Sequence, residues 1–184
     1  MKRLMDVLLS LAALIVLAPL MLLTAVAVIL EDGRPVFFRQ VRVGRQGREF
    51  GMFKFRSMVQ DASSIGPHFT RDNDPRVTPV GRFIRRTSID ELPQLANVLL
   101  GDMSLVGPRP ALPVQRDLYS DGQWALRCSV RPGLTGLAQA LLRSAGSFKE
   151  CLDLDLRYAR EGSLWLDLEI MARTVRTLIS GRAN

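Results

Sequence analysis

The most conspicuous pattern in the chain is an almost unbroken apolar run over residues 7–30, interrupted by Ser10 and Thr24. About 20 apolar residues in helical conformation cross the hydrocarbon core of a bilayer, so the run predicts a membrane-associated helix. Pro19 follows Ala18 near its middle. A proline inside a helix removes one backbone hydrogen bond and kinks the helix, which divides the run into two shorter halves.

Three topologies of this segment are compatible with the pattern. The basic start and the small residues at 25–27 are typical of a cleaved signal peptide. The length suits a single straight span, and the central proline suits a re-entrant hairpin. Basic residues prefer the cytoplasmic side, and they occur at both ends of the run, so a hairpin satisfies both ends whereas a straight span does not. The basic residues are Lys2, Arg3, Arg34, Arg39, Arg42, Arg45 and Arg48. The hairpin and the span both remain open at this point, ahead of the signal peptide.

A β-hairpin is predicted directly after the apolar run. Residues 37–43 are rich in β-forming side chains, residues 44–47 are turn-like, and residues 50–55 return. Strict alternation along the second strand places Lys54 and Arg56 on one face and the phenylalanines on the other. That cationic face is either solvated or a wall for a diphosphate.

The rest of the chain is predicted to be mainly helical. Helical periodicity covers residues 80–86, 92–100, 148–160 and 164–179, and Gly101 suits a C-terminal cap. Trp165 and an apolar stripe suit a last helix that lies in the headgroup region or packs on the core. We therefore predict a mixed α/β, mainly helical fold with amphipathic helices, in which an apolar anchor over residues 1–30 precedes one domain over residues 31–184.

The candidate chemistry is centred on two adjacent carboxylates, Asp90 and Glu91. Ser88 and Glu91 have the spacing of a capping box, which predicts that a helix begins here. Asp90 would then sit at the positive end of the helix dipole, close to Arg85 and Arg86. This setting favours an ionised carboxylate and can also hold anionic groups.

Two stiff loops follow the predicted helix that ends near Gly101. Residues 107–110 read Gly-Pro-Arg-Pro, and residues 131–136 read Arg-Pro-Gly-Leu-Thr-Gly. Prolines on both sides restrict the backbone of Arg109, while the glycine permits a tight turn. A rigidly held arginine is well suited to clamp a phosphate group.

Composition narrows the function classes. The net charge is +7, and of the 25 basic residues only Lys2, Lys54 and Lys149 are lysine. Arginine binds phosphate through a planar fork, so the composition fits a phosphate-rich substrate or an anionic surface. No zinc-finger spacing, helix-turn-helix or aromatic RNA-binding signature is present, and we expect no nucleic-acid partner.

The remaining reactive side chains have simpler interpretations. Cys128 and Cys151 do not form a CxxC motif, so reduced thiols are the default, and a disulfide stays open. His68 lies in a polar loop and is expected to do no chemistry. Asp72 and Asp74 could bind a metal, but turn formation is the more common use of such a sequence.

Five motifs together indicate that the chain resembles a known protein family. They are KFRSM at 54–58, DPRVT at 74–78, DELPQ at 90–94, GDMSLVGPRP at 101–110 and RPGLTG at 131–136. In this order, after an apolar helix with a central proline, they make the chain resemble the monotopic phosphoglycosyl transferases, also called bacterial sugar transferases. The match runs from the apolar segment almost to the C-terminus, and the chain looks like the minimal form.

The resemblance implies an enzyme that uses a UDP-sugar and polyprenyl phosphate and releases UMP. It implies that Asp90 is the nucleophile, that an aspartyl phosphosugar forms, and that Mg²⁺ assists, with Asp90 as a metal ligand. Glu91 would assist the metal or orient the lipid phosphate. A carboxylate with a pKa near 4 is already charged at pH 7 and needs no base to attack. Candidate phosphate-binding residues are Lys54, Arg56, Arg85 and Arg109.

The resemblance also favours a re-entrant hairpin at the cytoplasmic face of a bacterial inner membrane. Members of the family usually carry Ser-Pro at the break, where this chain has Ala18 and Pro19. The proline still supplies the kink, so we keep the hairpin as the expectation. The alternatives are a membrane-anchored basic binding module for anionic lipid or nucleic acid, and an exported structural domain.

Overall fold

A computed structural model of the chain describes residues 1–62, 66, 74–142 and 145–179. It is mainly helical, and its helices are α1 (Lys2–Asp32), α2 (Pro79–Arg86), α3 (Gln94–Leu100), α4 (Asp121–Arg127), α5 (Leu137–Leu142), α6 (Phe148–Glu161) and α7 (Leu164–Ile179). Four strands form two small sheets, β1 (Phe37–Val43) with β2 (Glu49–Phe55), and β3 (Ser104–Val106) with β4 (Gly133–Thr135). The predicted mixed, mainly helical class and the predicted hairpin are confirmed.

The hairpin of β1 and β2 is antiparallel, with Phe37 opposite Phe55 and Val43 opposite Glu49. Phe55 is buried against Val28 of α1 and Ile84 of α2. Alternation places Met52 on the same side of β2 as Lys54, and Met52 is buried in the main core, so the strand is packed on both sides. Because Phe55 packs on α1, the hairpin that carries the candidate site residue Lys54 is attached to the apolar N-terminal helix.

The parallel pair β3 and β4 brings the two stiff loops side by side. Ser104 pairs with Gly133 and Val106 with Thr135, and the Gly107 N–H donates to the Thr135 carbonyl at 2.9 Å. The backbones approach so closely that a Cβ on Gly133 would lie 2.1 Å from the Gly107 nitrogen. Glycine is required here because no side chain fits between the two segments.

Helix α1 is the longest element, and it is assigned as helical without interruption across Ala18 and Pro19. Its buried residues, Asp6, Ser10, Thr24 and Val28, follow helical spacing and form one stripe that faces the domain. Within the described residues it is the one helix long and apolar enough to cross a membrane, a property that core helices and signal sequences share. A re-entrant break at Pro19 stays a prediction.

Both ends of α1 contact the same domain. At the N-terminal end, Lys2 Nζ lies 2.6 Å from Asp167 Oδ2 of α7, and the Arg3 guanidinium donates to the Val98 and Leu99 carbonyls of α3. At the C-terminal end, Glu31 Oε1 accepts a hydrogen bond from the Val80 N–H of α2 at 2.9 Å. A helix of 31 residues is about 46 Å long if it is straight, so these contacts lie far apart along α1.

The main core lies between α3, the two small sheets, α6 and α7, and it contains Val98, Met103, Val106, Tyr158 and Ile170. Helix α7 contributes Ile170 and the buried Asp167, so the predicted packing on the core is present. The same helix leaves Trp165 79% exposed, together with Leu168 and Val175. A role for this exposed edge at a membrane surface stays a prediction.

Candidate active site

The carboxylates Asp90 and Glu91 lie in a single 3-10 turn, Ile89–Glu91, which precedes α3. Ser88 has left-handed backbone geometry (φ 57°), and its side chain makes no capping hydrogen bond. The predicted capping box is therefore wrong, and the helix begins at Gln94, after Pro93. Because Asp90 precedes the helix rather than forming its first turn, the helix dipole is a weaker influence on it than the sequence pattern indicates.

Lys54 reaches the two carboxylates from β2. Its Nζ lies 2.8 Å from Glu91 Oε1 and 3.9 Å from Asp90 Oδ2. The edge of β2 beside it is held by the fully buried Asn97 of α3, which accepts from the Phe53 N–H and donates to the Gly51 carbonyl, both at 2.9 Å. This amide satisfies the strand edge and fixes the separation between the lysine and the carboxylate turn.

Arg109 contacts the same oxygen of Glu91 as Lys54, and its Nη2 lies 3.1 Å from Glu91 Oε1. Its side chain is 56% exposed, while its backbone lies in the stiff loop after β3. The carbonyls of Pro108 and Ala111 accept hydrogen bonds from the Gly133 and Val43 N–H groups, both at 2.9 Å. These hydrogen bonds agree with the predicted rigid presentation of this arginine, which stays a prediction.

The environments of Asp90 and Glu91 drive their pKa values apart. Asp90 is only 7% exposed, and burial raises its pKa to about 6, although Lys54 opposes the shift. Burial would also raise the pKa of Glu91, but the combined fields of Arg109 and Lys54 outweigh it and lower that pKa to about 2. Glu91 is thus a permanent anion, while Asp90 is a poorly solvated carboxylate still ionised at pH 7.

Asp90 is also the less restrained of the two carboxylates. Glu91 accepts hydrogen bonds from both Lys54 and Arg109 through Oε1. Among the described residues, no side chain or backbone group donates a hydrogen bond to the carboxylate of Asp90. A negative oxygen that is desolvated and not engaged by a donor retains its nucleophilicity.

The site opens into a cavity of about 1210 Å³. Its lining includes Lys54, Arg85, Asp90, Glu91 and Arg109 together with apolar side chains of α5, α6 and α7. Arg85 belongs to the last turn of α2, and its charge lowers the pKa of Asp90. The structure therefore brings all six predicted catalytic and phosphate-binding residues, Arg56 included, to the lining of one cavity.

Arg56 is placed differently from the other predicted site residues. It borders the cavity, but its Nη2 donates to the Asp32 and Gly33 carbonyls at 2.9 and 2.7 Å and lies 3.4 Å from Asp32 Oδ2. These contacts cap the C-terminus of α1. Its predicted role in phosphate binding stays a prediction, and capping is the role that its present contacts support.

Sequence reasoning missed one cationic neighbour of the site. Arg42 of β1 donates to the Pro110 carbonyl at 2.9 Å and to the Gln40 side chain, and it borders the cavity beside Arg109. Burial, with the nearby charge of Arg109, lowers its pKa to about 10. The signal was weak, because an arginine in an alternating strand is normally a solvated residue.

The remaining residues singled out in the sequence lie away from the two carboxylates or outside the described ranges. Asp74 forms a close ion pair with Arg76, at 2.7 Å, which agrees with a role in local turn structure. Cys128 and Cys151 are both unpaired thiols. The predictions for His68 and Asp72 concern residues outside the described ranges. Ala18 and Pro19 lie exposed at the middle of α1.

The described residues contain no cluster of three or more histidine, cysteine, aspartate or glutamate side chains that could hold a metal by itself. Asp90 and Glu91 supply only carboxylate oxygens, and Oε1 of Glu91 already accepts from two cations. Mg²⁺ prefers oxygen ligands and usually keeps several waters. The residues present thus fit Mg²⁺ where a substrate phosphate supplies further oxygens.

The family model described as bacterial sugar transferase matches residues 1–181 of this chain. The chain belongs to the bacterial sugar transferase family. A family relative from Aeromonas hydrophila, a UDP-N-acetylgalactosamine-undecaprenyl-phosphate N-acetylgalactosaminephosphotransferase, is 44% identical over 185 residues. The alignment covers 98% of this chain but only 44% of that protein, so the chain spans less than half of that relative's length.

Two further members of the bacterial sugar transferase family are similar over most of their own lengths. A UDP-glucose:undecaprenyl-phosphate glucose-1-phosphate transferase from Caulobacter vibrioides is 44% identical over 97% of this chain and 70% of its own. The uncharacterised sugar transferase EpsL from Bacillus subtilis is also 44% identical, over 97% of this chain and 87% of its own. Equal identity to relatives named for different sugars means that overall similarity does not identify the sugar.

Proposed function

We propose that this chain transfers a sugar 1-phosphate from a UDP-sugar to undecaprenyl phosphate and releases UMP. The observation that carries the proposal is the desolvated carboxylate of Asp90, which borders a large cavity beside Lys54, Arg85 and Arg109. The names of the family relatives, which include undecaprenyl-phosphate sugar phosphotransferases, support the same reaction class.

In the proposed first step, an Asp90 oxygen attacks the phosphorus that bears the sugar. A bond forms between the carboxylate and phosphorus, and the phosphoanhydride bond to UMP breaks, so UMP leaves with that bond's electron pair. In the second step, a phosphate oxygen of undecaprenyl phosphate attacks the same phosphorus and displaces Asp90 as a free carboxylate. Both steps conserve charge and need no oxidant or added base. This ping-pong sequence gives one product in each half-reaction.

The main barrier to the first step is repulsion between an anion and a diphosphate. Fixed cations that are already in place reduce this repulsion without reorganisation during the reaction. Lys54, Arg85 and Arg109 are the proposed contacts to the phosphates. Glu91 holds Lys54 and Arg109 through one oxygen, and its contacts support an orienting role more directly than a role in metal binding.

Mg²⁺, which the family resemblance implies, would be held by Asp90 together with substrate phosphate oxygens. When bound, it would neutralise the charge of the diphosphate. Within the chain, Lys54, Arg85 and Arg109 would neutralise charge at the phosphates. Burial of Asp90 keeps water from solvating the attacking oxygen.

The proposed setting is the cytoplasmic face of a bacterial inner membrane, with α1 as a re-entrant anchor that enters and leaves on the same side. A straight helix of 31 residues would carry its ends beyond both surfaces of a hydrocarbon core of about 30 Å. Contacts from Arg3 to α3 and from Glu31 to α2 place both ends on one domain, which supports the same-side topology. The buried contact of Asp6 with Ser104 supports retention of α1 in the mature protein.

Release of UMP tests the proposed reaction directly. Purified protein is incubated with Mg²⁺, undecaprenyl phosphate and each member of a panel of UDP-sugars, and UMP is measured. We expect UMP with at least one sugar and none from the Asp90→Asn variant. The rival assignment, a membrane-anchored basic binding module, predicts no UMP with any sugar and a protein that binds anionic vesicles only.

A further inference from the structure

The loop that carries Arg109 is held through four consecutive backbone carbonyls. Those of Pro108 and Ala111 accept from backbone N–H groups, as described above. The two between them accept from arginine side chains, the Pro110 carbonyl from Arg42 at 2.9 Å and the Arg109 carbonyl from Arg127. Peptide planes that are fixed on both sides of a Cα fix the direction of the Cα–Cβ bond from which the side chain starts.

Arg127, in the last turn of α4, is the more buried of these two arginines at 8% exposed. Its guanidinium binds Asp155 of α6 through Nε at 3.0 Å and through Nη2 at 2.9 Å. One face of it lies 5.5 Å from the ring centre of Tyr119. Asp155 is 6% exposed, so both charges of the pair are withdrawn from water.

Stability alone is a weak explanation for this pair. Desolvation of two charges costs several kcal/mol, and apolar residues of similar volume often serve a core as well or better. An ion pair does provide a donor in one fixed direction, and here that donor meets the carbonyl of the residue whose side chain faces Glu91. The arrangement is therefore better explained by the placement of Arg109 than by the strength of the core.

We propose that the buried Arg127–Asp155 pair is a positioning device that holds Arg109 at the substrate phosphates. The inference rests on the proposed function, in which Arg109 contacts the diphosphate. Asp155 fixes the guanidinium of Arg127, Arg127 fixes the Arg109 carbonyl, and the side chain of Arg109 then projects toward Glu91 and the cavity. Arg127 and Asp155 act through Arg109 and are not themselves catalytic residues.

A double-mutant cycle tests this chain of contacts. Arg127→Lys keeps the charge but loses the planar fork, and a misplacement of about 1 Å at a reacting group costs about 100-fold in rate. We expect kcat/KM for the UDP-sugar to fall about 10- to 100-fold for Arg127→Lys in the wild-type background. In an Arg109→Ala background, the same substitution should change kcat/KM less than about 2-fold, because the residue that it positions has been removed.

Asp155→Asn provides a second arm, because it keeps the volume of the side chain and an acceptor oxygen for Arg127. It should lower kcat/KM strongly in the wild-type background and leave kcat/KM nearly unchanged in the Arg109→Ala background. The matched control is Arg157→Lys, since Arg157 and Glu161 form an exposed pair on the same helix α6, and it should leave kcat/KM unchanged. Thermal unfolding of each variant verifies that the comparison is made on folded protein.

If Arg127→Lys lowers kcat/KM by the same factor in the wild-type and Arg109→Ala backgrounds, the positioning role is overturned. Such a result would indicate a direct substrate contact or a general loosening of the core. The same cycle is measured on UDP affinity by calorimetry, so that the positioning role is tested without turnover. Wild-type protein that releases no UMP with any UDP-sugar would instead reject the proposed function, and the two failures are therefore distinguishable.

Discussion

At the residue scale, two neighbouring carboxylates have been given opposite electrostatic settings. Glu91 is engaged by two cations and has a pKa of about 2, whereas Asp90 is desolvated and has a pKa of about 6. Neighbouring carboxylates with pKa values driven apart by their environments commonly divide the chemical work between them. In the proposed mechanism, Glu91 holds Lys54 and Arg109, and Asp90 is the carboxylate that reacts.

The first prediction concerns the dependence of the reaction on pH. Asp90 must be ionised to attack, so kcat/KM should rise about tenfold per pH unit below pH 6 and level off above it. Lys54 lowers the pKa of Asp90, and Lys54→Met should therefore move this acid limb to higher pH as well as reduce the rate. Lys149→Met, at an exposed position of α6, is the control and should leave the limb in place. A limb unmoved by Lys54→Met would contradict the assignment of that limb to Asp90.

The second prediction concerns stability. The pKa of Asp90 in the folded protein lies above its ordinary value of 3.8, so the fold favours the protonated form, and stability is lost as pH rises toward about 6. Asp90→Asn removes this cost, and at pH 7 it should raise the free energy of unfolding by about 1–3 kcal/mol while abolishing turnover. Chemical denaturation at pH 7 and at pH 5 provides the measurement, and the difference should shrink at pH 5. If Asp90→Asn is less stable than wild type at pH 7, the ionised carboxylate of Asp90 does not destabilise the folded protein.

At the scale of elements, the sequence pattern predicted correctly those helices, strands and caps whose structure depends only on nearby residues. The hairpin, the left-handed cap at Gly101 and the bounds of α7 follow from alternation, glycine and helical spacing. The capping box failed because Ser88 takes left-handed geometry at the turn between α2 and the carboxylates. The 3-10 turn that follows Ser88 contacts both α2 and β2, and no local pattern contains such contacts between distant segments.

The third prediction tests the close approach of β3 and β4. A Cβ on Gly133 would lie within 3 Å of backbone atoms of Gly107 and Thr135, so Gly133→Ala should destabilise the protein by about 1–3 kcal/mol. Because it displaces the loop that carries Arg109, it should also lower kcat/KM. Gly122→Ala is the matched control, since nothing lies within 4 Å of its added Cβ, and its effect should stay within about 1 kcal/mol. Equal effects of the two substitutions would rule out the tight β3–β4 contact.

The site itself was only partly accessible from the sequence. Family motifs drew attention to Lys54, Asp90, Glu91 and Arg109, and the structure places these residues together. The supports behind them were not predicted, because they join distant segments. Asn97 reaches back to β2, and Arg127 pairs with Asp155 28 residues later in the chain. Such pairs have no spacing rule, so only the fold reveals them.

At the scale of the whole molecule, α1 is part of the domain rather than an appendage. Its first turns contact α3, β3 and α7, its last turn contacts α2, and its outer face is apolar and exposed. Charge and length in the sequence left a hairpin and a straight span as open alternatives. The contacts at both ends show that both ends of α1 lie on the domain, and the re-entrant hairpin remains the proposed topology.

The fourth prediction tests this topology in cells. Single cysteines are introduced before Met1 and at Arg34, in a background with Cys128 and Cys151 replaced by serine. An impermeant thiol reagent applied from outside should label neither position, because in the proposed hairpin both ends of α1 face the cytoplasm. Permeabilised cells provide the control, in which both positions should react. Labelling of one end alone from outside would establish a straight span.

The central claim is that the Asp90 carboxylate becomes covalently bonded to the phosphosugar during turnover. The protein is incubated with Mg²⁺ and the UDP-sugar in the absence of lipid acceptor, quenched and digested, and the peptide masses are determined. The account predicts the mass of a sugar phosphate on the peptide that contains Asp90, and its disappearance when undecaprenyl phosphate is added before quenching. The same mass on a different side chain, or turnover with no adduct on the protein at any time, would contradict it.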